Sequence, residues 1–362
     1  MKKYLIFAAA ALVAGAACAK IDRVDDTAIT FNVVNYVQQT KANTEFPKTE
    51  TFGTFAWWTQ TDWATDGQTN IFMDNQEVAY NTTDNVWAPT LPYFWTKTGK
   101  ITFASYAPYT AAAGSNGFVN LPTHTVADGF LFTDYTVVNT TDVDLMYADL
   151  VTDQTKNTNP ATYTAISGVA EGVPTLFHHA LTQVAFVFKA GKNTNPNVID
   201  QKIVLNEAKI INIYNKGNFT QNNASQWAGQ NGSAAYEINA ASNSIEMVWD
   251  AATPYTPSTV SRIVLPQDLA STGTQQSIYL SYTIKTKYKG TTDFADEVVT
   301  STVPLYYDNT SIGGSKLVKW GINESILYTI TINPYSDDPI YFDPAVVDWT
   351  VVNGAIEVNA ID

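Results

Sequence analysis

The sequence predicts an all-β protein built from two tandem β-sandwich domains. Its composition is 45% hydrophobic and 13% aromatic, and Val, Thr, Tyr and Trp favour strands over helices. Apolar and polar residues alternate along segments such as Ile278–Ile284, which is the period of a half-buried strand. A single sandwich has about 100 residues, and 362 residues therefore fit two domains.

The chain divides into four predicted parts. Residues 1–17 form a signal peptide and residues 18–28 a polar tether, and domains follow at 29–170 and 171–362. The boundary between the domains is expected in the polar, Asn- and Gly-containing stretch between Thr152 and Gly172, because such composition shifts mark linkers.

The signal peptide leads to the single cysteine of the chain, Cys18. Two lysines precede the apolar run Tyr4–Val13, and small residues follow it, which is typical of a secretory signal. Cleavage before Cys18 predicts a covalent lipid on its thiol, which would hold the protein on a membrane without a spanning helix. Lipoprotein signals usually carry Leu where Gly15 stands, and ordinary cleavage after Ala17 or Ala19 is the alternative.

The first predicted strand covers Ile29–Val37. Ile29, Phe31 and Val33 alternate with polar residues, which predicts one buried face. The strand is followed by Lys41 and Ala42 in a polar stretch of the kind that proteases cut. A basic residue in a solvated loop is the alternative interpretation.

Net charge and motifs exclude several classes of function. The formal charge of −14 repels phosphate backbones, so we expect no nucleic-acid partner. The sequence carries no nucleophile elbow, H-E-x-x-H motif, Walker loop or dinucleotide fingerprint, which predicts a protein that is not an enzyme. A secreted hydrolase would depend on scattered acids alone.

Three small groups of residues suggest binding chemistry. Trp57, Trp58 and Trp63 crowd one turn and could stack on sugars, although tryptophans in β domains usually lie in cores. The other two groups are the acids Asp142 and Asp144, expected to be solvated or to cap turns, and the pair His178–His179. Adjacent histidines on a strand point to opposite faces, so we expect structural roles and no metal site.

Motifs in the first half appear in a fixed order. They are the F-G-T-F-A-W-W segment 52–58, the I-F-M-D-N-Q-E-V segment 71–78, Trp87, Tyr93-Phe94-Trp95, the segment 101–109 and the D-L-M-Y-A segment 144–148. The second half adds F-H-H-A-L at 177–181, L-P-Q at 265–267, Trp320 and the closing segment 346–349. This succession resembles the fimbrillin-like family of type V pilins and pilin-like outer-membrane lipoproteins. One departure is Thr96, where the family has proline.

The resemblance implies the fold and the function to be tested. It implies transthyretin-like, Greek-key sandwiches and a stalk, minor or tip subunit of a surface fimbria acting in adhesion. A lipid on Cys18 would anchor the precursor in the cell outer membrane. A trypsin-like protease would cut between Lys41 and Ala42 and release the first strand; the family has arginine at this site, and Arg23 is a lesser candidate.

The resemblance also implies assembly by donor-strand insertion. A strand from another pilin subunit would fill the place of the first strand, and this chain would donate its own C-terminal segment, residues 355–362. Ile356, Val358 and Ala360 alternate there as an inserting strand requires. Receptors or glycans on host or bacterial surfaces would be the adhesive partners.

The alternative is a monomeric surface lipoprotein that binds glycans through Trp57, Trp58 and Trp63. It would need no proteolysis. In neither interpretation is a cofactor expected beyond the lipid on Cys18.

Overall fold

A computed structural model describes residues 24–35, 44–157, 172–249, 254–257, 259, 261–308, 316–335 and 340–347. Within these ranges the protein is all-β, and the helix α1 (Trp63–Asp66) makes one turn. None of the described helices is long and apolar enough to cross a membrane. The signal peptide and several predicted site residues lie outside the described residues, namely Cys18, Lys41, Ala42, Ile356, Val358 and Ala360.

The described strands fall on both sides of the predicted domain boundary. Those before residue 158 are β1 (Val24–Ala28), β2 (Phe31–Asn35), β3 (Thr44–Glu45), β4 (Phe52–Thr59), β5 (Asn70–Asn81), β6 (Val86–Pro89), β7 (Phe94–Thr96), β8 (Lys100–Ala107), β9 (Thr123–Thr125), β10 (Gly129–Thr136), β11 (Met146–Ala148) and β12 (Val151–Gln154). Those after residue 171 are β13 (Val173–His179), β14 (Thr182–Ala190), β15 (Val198–Ile213), β16 (Lys216–Thr220), β17 (Trp227–Asn231), β18 (Ala234–Asn239), β19 (Ile245–Val248), β20 (Ser261–Val264), β21 (Gln267–Asp268), β22 (Ser277–Tyr288), β23 (Ala295–Pro304), β24 (Tyr307–Asp308), β25 (Lys316–Leu317), β26 (Lys319–Trp320), β27 (Ser325–Ile332) and β28 (Tyr341–Val347).

Seven of the described strands close into a ring. Their order is β11, β13, β2, β6, β5, β4 and β8, and β8 pairs with β11 again through Tyr106 and Tyr147. Closure gives each member two hydrogen-bonded neighbours and leaves no open edge in the ring. The sequence predicts a sandwich of two separate sheets in this half of the chain. The structure differs because the short strand β11 bridges two strands that a sandwich would leave as edges.

The ring encloses an apolar core. Alternate residues of each strand point inward, as the period of two requires, and the inward set includes large aromatic rings. The buried cluster comprises Ile29, Phe31, Val33, Phe46, Phe52, Ala56, Trp58, Met73, Val78, Trp87, Trp95, Ile101, Phe103, Ala107, Met146, Ala148, Val151, Val173 and Phe177.

Two sheets pack face to face in the second half. One has the described order β20, β14, β27 and β28, and the other β18, β15, β22 and β23, with β19 also on β15. β14 and β27 run parallel over eight residue pairs. Their inward side chains, such as Phe186 and Tyr328, lie in one buried cluster with Leu205 and Leu280 from the opposite sheet.

Hydrogen bonds and core contacts connect the two halves. β10 pairs with β16, so that Leu131 lies opposite Thr220. β13, which follows the predicted boundary, belongs to the ring of the first half. The predicted boundary at 170/171 lies within residues 158–171, which are outside the described residues. The division into two domains therefore stays a prediction.

The predicted tether contains a strand. Val24–Ala28 forms β1, which pairs antiparallel with β7 so that Ala28 lies opposite Phe94. The acids Asp22, Asp25 and Asp26 predict a polar tether at residues 18–28. The structure differs because strand pairing uses backbone groups, which are available whatever the side-chain polarity.

Candidate functional site: the groove of the first strand

The first strand, β2, lies between β13 and β6. It runs parallel to β13 over five pairs, from Phe31 opposite Val173 to Asn35 opposite Phe177. Phe31 also lies opposite Trp87 of β6. Strand β2 therefore closes the ring, and its removal would leave the edges of β13 and β6 without these hydrogen bonds.

The inward side chains of this strand reach the ring core. Ile29 and Phe31 are each 1% exposed and Val33 is 6% exposed. Full burial of a large apolar side chain contributes about 1.5–3 kcal/mol relative to exposure. Ile29, just before β2, and Phe31 and Val33 within it together anchor this five-residue strand.

The ring of Phe31 is held edge-on by two other rings. Its centroid lies 5.5 Å from that of Phe52 and 5.6 Å from that of Phe103, and both interplanar angles are 85°. Aromatic pairs favour this edge-to-face arrangement because of the ring quadrupole. We call the edges of β13 and β6, with Phe52 and Phe103, the first-strand groove.

Gly172 lets the backbone of the first strand come close. Its φ is +123°, and a Cβ at this position would lie 2.8 Å from the carbonyl carbon of Phe31 and 3.0 Å from the carbonyl oxygen of Thr30. A Cβ essentially never lies within 3.0 Å of a heavy atom beyond its chain neighbours, so a side chain at position 172 would require the backbone of the first strand to shift. The amide of Val173 then donates to the carbonyl of Thr30 at 2.8 Å. A glycine is therefore required where β13 begins.

A second contact holds the residues before β2. The amide of Ile29 donates to the carbonyl oxygen of Tyr93 at 2.8 Å, and β1 continues along β7. The chain from Val24 to Asn35 thus fills two consecutive edges, first that of β7 and then those of β13 and β6. The interactions at these edges are backbone hydrogen bonds and the burial of alternating apolar side chains, which are the interactions of an added β-strand.

The three tryptophans predicted to contact glycans do not form one surface. Trp57 and Trp58 are 5% and 8% exposed and belong to different core clusters, because neighbours on a strand point to opposite faces. The indole N–H of Trp58 donates to the carbonyl of Thr98 at 2.9 Å. Trp63 is half-buried, and its ring centroid lies 5.5 Å from that of Trp57.

Each of the adjacent histidines faces an aspartate. His179 Nδ1 lies 2.7 Å from Asp144 Oδ2, and His178 Nε2 lies 2.9 Å from Asp149 Oδ1. Asp142 makes an ion pair with the guanidinium of Arg262 at 3.0 Å. The prediction of solvated or turn-capping acids is thus wrong for Asp142 and Asp144, because both find partners that are distant in sequence. Among the described residues no group of His, Cys, Asp and Glu could hold a metal ion.

His124 is the third histidine, and it lies in β9 and packs against Trp57 of β4. Its Nδ1 lies 2.7 Å from the side-chain nitrogen of Gln68, and its ring centroid lies 5.0 Å from that of Trp57. Burial disfavours the charged imidazolium and lowers the pKa of His124 to about 4. The imidazole is therefore neutral near pH 7 and accepts the hydrogen bond from Gln68.

Sequence reasoning found the strand of the site but not its surroundings. The alternation of Ile29, Phe31 and Val33 correctly indicates their burial. Gly172 was missed, since a glycine in a polar stretch signals only a linker. The pairing of β2 with β13 was also missed, because the two strands are more than 130 residues apart in the chain and no local pattern records their contact.

The chain is similar in sequence to one protein family and in structure to several solved proteins. The model of the family described as fimbrillin-like matches residues 40–349. A fimbrial protein from Bacteroides vulgatus ATCC 8482 has a similar crystal structure, with a TM-score of 0.63 and 21% identity over 90% of this chain and 100% of that one. A fimbrilin from Porphyromonas gingivalis W83 matches with a TM-score of 0.44 and 12% identity over 91% of this chain and 98% of that one. None of the curated proteins matches the chain in sequence.

At 21% identity the Bacteroides vulgatus structure bears on the fold alone, and its coverage extends through both halves. The family model spans most of the sequence and includes β3 to β28. The chain belongs to the fimbrillin-like family.

Proposed function

We propose that the protein is a structural subunit of a cell-surface fimbria that assembles by donor-strand insertion and acts in adhesion. Its precursor is held on the outer membrane by a lipid on Cys18. A trypsin-like protease cuts between Lys41 and Ala42 and frees the segment that contains β2. The strand of another pilin subunit then enters the first-strand groove. The two halves of the subunit, 29–170 and 171–362, act as tandem domains.

One observation carries the proposal: β2 closes the ring between β13 and β6. Its place depends on Ile29, Phe31 and Val33 and on the backbone pairs with β13, β6 and β3. A different strand with the same pattern could make all of these interactions. Loss of β2 would expose apolar side chains and unpaired backbone groups, which strongly favours filling by another strand.

The position of the predicted cut agrees with this arrangement. Lys41 lies between β2 and Phe46, in the stretch outside the described residues. Phe46 is fully buried, and its ring stacks on Phe177 at 5.0 Å. Cleavage after Lys41 would therefore free β2 while Phe46 stays in the core of the ring.

The outgoing strand is proposed to be segment 355–362, with Ile356, Val358 and Ala360 on its apolar face. Receptors or glycans on host or bacterial surfaces are the proposed adhesive partners. Glycan binding by a surface of Trp57, Trp58 and Trp63 is not favoured, because the first two side chains lie in separate cores.

N-terminal sequencing of surface filaments tests the proposal. Filaments from cells expressing the native chain are expected to start at Ala42, and Lys41→Gln is expected to retain the lipidated start at Cys18 and to stop incorporation. Lys48→Gln is the matched control, since Lys48 is exposed and follows the buried Phe46. A native chain that enters filaments with Cys18 as its first residue would overturn strand removal.

A further inference from the structure

We propose that the first-strand groove selects a donor strand with an aromatic ring at the position of Phe31, and that this donor comes from a chain other than a second copy of this protein. The inference rests on the proposed function and names the partner of the same groove.

The pocket around Phe31 is shaped for a ring. The side chain is 1% exposed, and Phe52 and Phe103 contact it edge-on from two sides at 5.5 and 5.6 Å. A smaller side chain at this position would lose both aromatic contacts and leave a cavity.

The walls of this pocket cannot collapse onto a smaller residue. Phe52 is held by three further rings, at 6.0 Å from Phe46, 5.8 Å from Trp87 and 5.4 Å from Phe177. Phe103 is held by Trp95 at 6.0 Å. A close-packed interior relaxes only partly around a deletion, so most of the cavity would remain.

The flanking positions have a different requirement. Ile29 and Val33 are β-branched and buried in the same core, and both are aliphatic. The groove therefore favours a donor strand whose three inward side chains are aliphatic, aromatic and aliphatic in that order. The spacing of two residues fixes the register, because a shift by one residue turns the apolar side chains away from the core.

The predicted outgoing strand of this chain does not meet that requirement. Aligned on the three positions, Ile356 fits the first, but Val358 stands in the place of the ring and Ala360 is small. Residues 350–362 contain no aromatic side chain, so this segment supplies no ring in any register or direction. The proposed outgoing segment 355–362 is thus not complementary to the first-strand groove of the same chain. The subunit accepts its donor from a different pilin, which places it at a junction between unlike subunits.

Peptide exchange on the full chain tests this selection. A site-specific protease sequence inserted between residues 38 and 43 is cut, so that β2 stays bound without a covalent link. Labelled peptides are then added and their binding is followed by fluorescence anisotropy. One peptide has the sequence of residues 28–36 and a second that of residues 353–362. Two further peptides are variants of the second: Val358→Phe places a ring at the position of Phe31, and Ile356→Phe places it at the position of Ile29.

We expect the affinities of the four peptides to depend on whether a ring fills the position of Phe31. Peptide 28–36 binds best, and peptide 353–362 binds at least about tenfold more weakly because it leaves the ring pocket empty. Val358→Phe recovers most of this difference and Ile356→Phe does not. Equal binding of all four peptides would leave strand exchange standing and overturn the selection. Failure of every peptide, including 28–36, to enter the cut chain would overturn both the selection and the proposed function.

Discussion

At the scale of single residues, Phe31 is the largest of the buried side chains that hold the first strand. We expect Phe31→Ala in the intact chain to lower the free energy of unfolding by about 3–5 kcal/mol, since the deletion leaves a cavity between Phe52 and Phe103. Thr30→Ala is the control, because Thr30 is half-buried on the opposite face and its truncation should cost about 1 kcal/mol or less. Urea denaturation measures both values, and equal losses would contradict the assignment of Phe31 to the core.

His124 links stability to pH. Its pKa in the folded chain, about 4, lies below the ordinary value of 6.5, so between these values the unfolded chain binds more protons than the folded chain. The contribution of neutral His124 is therefore complete above pH 6.5 and is lost as the pH falls toward 4, by about 1–3 kcal/mol in total.

The measurement is urea denaturation across this range in the native chain and in His124→Gln. Glutamine cannot titrate, and it keeps a polar side chain next to Gln68. We expect the variant to lose stability less steeply between pH 6.5 and 4. Parallel curves would show that His124 does not cause the pH dependence.

At the scale of elements, the residue before β13, Gly172, determines whether the first strand can pair with β13. Gly172→Ala would place a methyl group 2.8 Å from the backbone of Phe31. Gly290→Ala is the matched control, because Gly290 also has positive φ, at +87°, but a Cβ there meets nothing within 4 Å. Both variants bear the conformational strain of about 1–2 kcal/mol. We expect Gly172→Ala to be less stable than the control and to lose β2 more readily to limited proteolysis.

The elements also show what the sequence could and could not predict. Alternation identified β2 and β22 because each packs one face on a core, which is a local property of the sequence. β1 was not predicted, because it pairs through its backbone with β7. The ring was not predicted because β11, only three residues long, pairs with β13 and β8, and neither partner is local.

The same distinction applies to the candidate site. Ile29, Phe31 and Val33 were identified as an inward face, since their spacing carries the information. The partners of the acids were not, because Asp144 meets His179 and Asp142 meets Arg262 only after the chain has folded. Trp57 and Trp58 look like a surface in sequence, but neighbouring strand residues face opposite sides, and the fold sends each to a separate core.

At the scale of the molecule, the ring and the packed sheets of the second half depend on β2 to different degrees. β2 hydrogen-bonds with ring strands β13 and β6, whereas β14 and β27 pair with each other over eight residues without it. Cutting the chain between β2 and β3 removes the covalent link that keeps β2 at high effective concentration. The ring should therefore open more often, while the sheets of the second half keep their stability.

Hydrogen exchange of the cut and intact full chains measures this difference. We expect the amide of Val173, which donates to Thr30, and its neighbours in β13 to exchange faster after cutting. Amides of β14, such as that of Phe186, are the internal control and should exchange at an unchanged rate. Faster exchange throughout both halves would mean that the protein opens as a single cooperative unit. That result would oppose assembly by strand replacement, because a subunit that has lost β2 must keep the rest of its fold until a donor strand arrives.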